Sequence, residues 1–209
     1  MRTSRLSAAL VASALLLAGC GSDAEEPAGG SGESSSSETS SDGASAAGPV
    51  SAGGIAFQPP EGWQVVGDEQ GALGVGEAAR RLGTDQQAVQ KAVDNTELLM
   101  VDPDAEGEFG DNLNVRSLTG TMPTKKELRQ QLGGIQGTVT DIQTTDTDAG
   151  ETMVATYTMN GPVDAFGSEI LVPVGEQVAI LTMMTGDESR TLDLTDGVVS
   201  SLDAAQDGQ

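Results

Sequence analysis

Residues 165–184 read Ala165-Phe-Gly-Ser-Glu-Ile170-Leu-Val-Pro-Val-Gly175-Glu-Gln-Val-Ala-Ile180-Leu-Thr-Met-Met184, and their pattern decides the fold class. Phe166, Ser168, Ile170 and Val172 alternate, as do Val178, Ile180, Thr182 and Met184, which is the period of a strand. Pro173-Val-Gly175-Glu joins the two runs and carries the turn residues of a hairpin. Two long strands joined so closely must be antiparallel, so the chain is built on an antiparallel sheet.

The neighbouring segments extend that sheet and add helices. Met153 to Met159 reads as a strand that can offer Met153, Val154, Ala155 and Tyr157 to a core. Asp146-Thr-Asp-Ala-Gly150 reads as the hairpin turn before it, and Thr138 to Thr145 as a polar, threonine-rich strand. Thr124-Lys-Lys-Glu127 is a capping box, followed by Leu128, Leu132 and Ile135 on one helical face and by Gly133-Gly134 as a stop. Leu113 to Leu118 and Leu98 to Val101 are further strands, and Val75 to Val93 predicts two short helices. Ile55-Ala-Phe57-Gln-Pro-Pro-Glu-Gly-Trp63 predicts a short strand and a turn. On the other side, Asp187 caps a last helix, with Leu192, Thr195, Val198, Val199 and Leu202 expected on its inner face. Residues from about 203 to 209 are expected to fray. Strands and helices in this order predict an α+β domain, an antiparallel β-sheet covered by helices, over residues 53–209.

The chain opens quite differently. Arg2 and Arg5 precede a short apolar run that ends at Leu17-Ala18-Gly19-Cys20. The run is too short to span a bilayer, which takes about 20 apolar residues, but suits the core of a signal peptide at about 7–15. Cys20 is the chain's single cysteine, and its place at the end of the run calls for an explanation. The stretch resembles a bacterial lipoprotein signal with Leu-Ala-Gly-Cys as the lipobox. The resemblance implies a signal peptide over residues 1–19, cleavage between Gly19 and Cys20, and a diacylglyceryl group on Cys20. Two acyl chains hold a protein on a membrane stably where one does not. From Cys20 to Ala52 the chain is Ser, Gly, Glu, Asp and Ala with hardly any large apolar side chain. Such a composition cannot bury enough surface to fold and reads as a disordered, flexible acidic tether.

Charge and missing residue types exclude whole classes of chemistry. The chain has 32 acidic and 10 basic residues and no histidine, for a formal charge of −22. Loss of Arg2 and Arg5 with the signal would take −22 to −24. A surface of that sign is repelled by nucleic-acid backbones, so no nucleic-acid partner is expected. Without histidine there is no Ser-His-Asp triad and no His-ligated zinc. With Cys20 lipidated there is no free thiol.

Phe57-x-Pro-x-x-Gly62-Trp63, the strand Asn112-Leu-Asn114-Val115, the capped helix, the strand Thr156-Tyr157-Thr158 and the hairpin at Pro173-x-Gly175 carry a further likeness. They resemble the Mog1/PsbP-like α/β/α sandwich, and within it the actinobacterial lipoproteins of the LpqN/LpqT type. A helical insert at about residues 71–95 interrupts the likeness. It implies a binding or assembly factor with no cofactor and no shared catalytic residues.

Candidate contact residues follow, each with a competing reading. Trp63 and Tyr157 could stack on a ligand, but a lone aromatic beside a Pro-Gly turn more often packs under it. Arg80 and Arg81 on the insert, and Lys125 on the capped helix, form basic islands that could meet an anionic partner or pair with nearby carboxylates. Gly83 breaks the insert into two helices, with Thr84 as the expected cap of the second and Gln87 completing its box. Asp102-Pro-Asp104-Ala-Glu106-Gly107 resembles the start of a calcium loop, yet Leu113 stands where the bidentate Glu belongs, so a solvated acidic loop and no metal is expected. Met153, Met159, Met183 and Met184 could line an adaptable pocket or simply fill the core. The expectation is a non-enzymatic lipoprotein on the extracytoplasmic face of the cell membrane that binds a protein or lipid partner. The alternative is a small-molecule or lipid carrier with a cavity between sheet and helices.

Overall fold

The structure, a computed structural model, describes residues 48–67, 72–105, 109–135, 137–161 and 163–205. The signal segment, Gly19, Cys20, most of the tether and residues 206–209 lie outside the described residues. In chain order come β1 (Val50–Ala52), β2 (Ile55–Phe57), β3 (Gln64–Val65), α1 (Val75–Arg81), α2 (Gln86–Asn95), β4 (Leu98–Val101), β5 (Asn112–Thr119) and α3 (Lys125–Gly134). They are followed by β6 (Gly137–Thr147), β7 (Gly150–Met159), β8 (Ala165–Val174), β9 (Gln177–Thr185), α4 (Glu188–Ser200) and β10 (Asp203–Ala204).

The hairpin read from the sequence is the centre of the molecule. β8 and β9 pair antiparallel from Phe166↔Thr185 to Val174↔Gln177, and Gly175 turns the chain at a φ of 58°, which suits glycine. The sheet then grows on both sides in the order β3-β4-β5-β9-β8-β7-β6, with every neighbour antiparallel. A second sheet, β1-β2-β10, has three strands. The α+β sandwich expected from the sequence is the observed architecture.

Both faces of β8 and β9 are covered, which is why these strands are apolar nearly throughout. On one face Ile170, Val172, Leu181, Met183, Leu113 and Val115 meet α4 and the small sheet, with Ile55, Phe57 and Trp63 in the same core. On the other face Ala155, Tyr157, Leu171 and Ile180 meet Leu128 and Leu132 of α3. Farther along that face α1 and α2 close over Leu99 and Val101 through Ala78, Leu82, Val89 and Ala92. The helical insert is therefore a packing element of the sheet's β4 end.

Local expectations met the structure unevenly. The Thr124 capping box forms with both of its bonds: Glu127 N–H donates to Thr124 Oγ1 at 3.2 Å, and Thr124 N–H donates to Glu127 Oε2 at 2.8 Å. The Thr124 N–H bond, joined by the Thr124 hydroxyl donating to the same oxygen at 2.8 Å, holds the Glu127 carboxyl below its ordinary value. The cap of α2 is Asp85, whose Oδ1 accepts from Ala88 N–H at 2.8 Å, and not Thr84 with Gln87. A carboxylate outranks a hydroxyl at a helix N-terminus because it also meets the positive end of the dipole. Leu192 does not face inward; it is 43% exposed, and Thr191 takes the inner position instead. Two hydroxyl pairs set that phase, Ser168–Thr195 at 2.6 Å and Thr185–Thr191 at 2.7 Å. Asp203 and Ala204, expected to fray, pair with Ala56 and Ile55 of β2. Val50–Ala52, assigned to the tether, form β1 on the other edge of β2.

Candidate functional site

Where β4 and β9 end and β5 and α4 begin, the loops leave an open cleft of ≈590 Å³. Glu61, Asp102, Asp104, Asp111 and Asp187 line it, against Arg190 as the one cation among the described lining residues. Asp111 is 4% exposed and Asp102 8%. Two such carboxylates need a partner, and Arg190, in the first turn of α4, supplies it. Its Nε donates to Asp111 Oδ2 at 2.7 Å, and its Nη2 donates to Asp102 Oδ2. The remaining oxygens are spent on backbone: Asp111 Oδ1 accepts from Gly186 N–H at 3.1 Å, and Asp102 Oδ1 from Asp104 N–H at 2.9 Å. The bond to Asp111 is the main cause that raises the Arg190 pKa further, so the guanidinium stays charged. Asp187 is the α4 cap, its Oδ1 accepting from Arg190 N–H at 2.8 Å. Asp102 and Asp111 thus clamp the end of the sheet to α4, and among the described residues no group of three or more His, Cys, Asp or Glu is placed to hold a metal ion. Glu106, Gly107 and Glu108 of that loop lie outside the described residues. Val163, 37% exposed, and Phe109 add apolar surface to the cleft wall.

The residues singled out in the sequence do not gather there. Trp63 and Tyr157 are 1% and 2% exposed, so neither presents a ring to a partner. Tyr157 Oη donates to Met184 Sδ at 3.3 Å, and burial keeps the hydroxyl protonated. Arg80 and Arg81 both pair with Glu77, and Arg81 also donates to the Pro103 carbonyl, tying α1 to the acidic loop. Lys125 Nζ donates to the Ile142 carbonyl at 3.1 Å, covering part of the outer edge of β6. Met153, Met159 and Met183 are core residues.

Sequence reading missed a second charged place. Glu169 of β8 is 5% exposed, and its Oε1 lies 4.0 Å from Nη2 of Arg116 on β5. Burial pushes the Glu169 carboxyl up, and Arg116 pulls it back only in part. A carboxyl whose folded pKa exceeds its unfolded value binds more protons when folded. Its contribution is therefore most favourable in acid and declines as pH rises from the ordinary 4.5 through the raised value. Glu169→Gln should match the wild type in acid and gain on it in thermal melts taken toward neutral pH. A wild type that instead pulled ahead with rising pH would show that Arg116 outweighs burial.

No family model matches the chain, and no curated protein matches it. Three solved structures give partial matches. One is LpqN of Mycobacterium tuberculosis, described as involved in cell envelope biogenesis, with a TM-score of 0.42 and 11% identity over 71% of this chain and 82% of that one. Another is the cyanobacterial PsbP of Synechocystis, with a TM-score of 0.42 and 15% identity over 72% of this chain and 86% of that one. A protein of Bacteroides thetaiotaomicron has a TM-score of 0.39 and 13% identity over 76% of this chain and 48% of that one. At such TM-scores and identities neither a fold family nor a residue role passes from those proteins to this chain.

Proposed function

We propose that the chain is a lipid-anchored, non-catalytic protein of the cell envelope whose domain recognises a protein partner at the acidic cleft. The cleft is the observation that carries this reading. Its own cation is spent on Asp102 and Asp111, which leaves Glu61, Asp104 and the cap Asp187 to give it a negative field. Such a field attracts a basic segment and speeds its encounter, while Val163 and Phe109 offer it apolar contact. Side-chain chemistry supports a binding role over catalysis: the chain has no histidine, and its one cysteine is Cys20. A carrier reading would need Trp63, Tyr157 and the strand methionines to line an apolar cavity, and they are packed in the core clusters instead.

The anchor rests on the lipobox at Leu17 to Cys20. Among the described residues no helix is long and apolar enough to cross a bilayer. Cys20→Ala is expected to move the protein from the membrane fraction to the soluble one or to leave it uncleaved. Membrane association unchanged by that substitution refutes the anchor. A photo-crosslinker at Val163 should capture the partner, and Glu61→Lys with Asp104→Lys should abolish the capture; capture that survives both reversals excludes the cleft.

A further inference from the structure

The chain has four asparagines, and only Asn160 precedes a glycine. The fold treats the four differently. Asn112 and Asn114 lie on β5, a strand paired on both sides, with Asn112 between Val101 and Met184 and Asn114 between Leu99 and Thr182. Asn95 is the last residue of α2, and its side-chain amide donates to the Lys91 carbonyl. Asn160 and Gly161 instead open the loop from β7 to β8, just past Met159, whose pairing with Ala165 closes the ladder. Both are exposed.

That placement suits a reaction between the side chain and the backbone. The backbone nitrogen after an asparagine can attack the side-chain carbonyl carbon and close a five-membered ring. In a strand the ladder holds this nitrogen in the extended geometry, and the attack must wait for the strand to open. A loop opens at little cost. A glycine in the second place has no Cβ to hinder the approach and leaves the backbone free to turn. The loop also fixes where the product appears. A Cβ built at Gly161 falls 3.3 Å from the Val163 carbonyl oxygen, so the turn is tight, and Val163 lines the cleft.

We propose that Asn160-Gly161 is a self-modification site, at which the side-chain amide of Asn160 is converted to a carboxylate beside the cleft. The Gly161 nitrogen bonds to Cγ of Asn160, the Cγ–Nδ2 bond breaks, and the amide group leaves as ammonia with the proton of the Gly161 N–H. Water then opens the cyclic imide. Cleavage at Cγ gives aspartate, and cleavage at the backbone carbonyl gives isoaspartate, with the chain running through the side chain. No oxidant or cofactor takes part. Either product adds one negative charge to the loop that carries Val163 and strengthens the field already set by Glu61, Asp104 and Asp187. The chemistry needs only Asn160, Gly161 and water, and it does not depend on the reading given to the cleft.

The test is peptide mapping by mass spectrometry of the purified full chain, aged in mildly alkaline buffer, folded or unfolded in guanidinium chloride. Asn160 should be the first asparagine to convert in the folded chain, within about threefold of its rate in the unfolded one. Asn112 and Asn114 should be slowed by folding more than about a hundredfold, because reaching them means opening a central strand. The product at position 160 should be a mixture of aspartate and isoaspartate, and ion exchange should separate it from the fresh chain as the more acidic form. Gly161→Ala should slow the conversion severalfold; the φ of Gly161 is not in the left-handed region, so alanine can hold its backbone. Asn160→Gln should stop it over the same period. Four results would each overturn the proposal: an Asn160 that converts only when unfolded, another asparagine reacting first, aspartate without isoaspartate, or an unchanged rate in the Gly161→Ala chain.

Discussion

Gly167→Ala is expected to destabilise the domain by about 3 kcal/mol, the upper end for overpacking a core. The reason is the crossing of two strand pairs. Gly167 stands opposite Tyr157 on β7 and opposite Met184 on β9. A Cβ built there falls 2.4 Å from the Tyr157 ring and 2.7 Å from Met184 Sδ. Tyr157 has nowhere to go, since it is 2% exposed and packed in the cluster under α3. In a domain of this size the loss corresponds to a fall of roughly 6–12 °C in Tm. A double-mutant cycle identifies the cause. Tyr157→Ala alone should cost about 3–5 kcal/mol, but with the ring gone, Gly167→Ala should become nearly neutral. Additive costs in the cycle would mean that the clash is not with the ring.

Arg190→Ala is expected to cost about 2–3 kcal/mol. Removing one partner of a buried ion pair costs about 3–5 kcal/mol, and the lower figure reflects Arg190, whose side chain is 43% exposed and partly screened. What remains is the exposure mismatch: Asp102 and Asp111, with side chains 10% and 6% exposed, would face each other with their cation gone. Arg190→Lys should recover less than half of the loss. An ammonium cannot make the forked donation by which Nε and Nη2 bridge two carboxylates. Urea denaturation of the three proteins measures both effects, and a fully stable lysine variant would reduce the contact to a point charge.

Periodicity and turn chemistry made the sheet readable because each is local. The alternation in β8 and β9, the Gly175 turn and the Thr124 box need only residues within a few positions of one another. What went unread depends on register. Glu169 and Arg116 lie 53 positions apart in number, and only the offset of β5 against β9 and of β9 against β8 brings them together. The cleft has the same character, since Asp102, Asp111 and Arg190 meet through the ends of four elements. The sequence drew attention to Asp102 and Asp104 as a loop of acids, but not to the guanidinium that claims Asp102. Helix phase failed for a related reason: Thr191 took the inner place expected of Leu192 because its hydroxyl pairs with Thr185 of β9, while Thr195 one turn on pairs with Ser168 of β8.

The place of β1 has a mechanical consequence. Tension arriving along the chain from its N-terminal side enters at Val50, the free end of a strand with three register pairs to β2. In this hairpin geometry the pull opens the pairs one after another, beginning at Val50↔Phe57, and does not shear them together. The next strand is much harder to move, because Ile55 and Phe57 are completely buried in the core. Under such a pull β1 therefore opens first and adds a few residues of extended chain before the load reaches the buried β2.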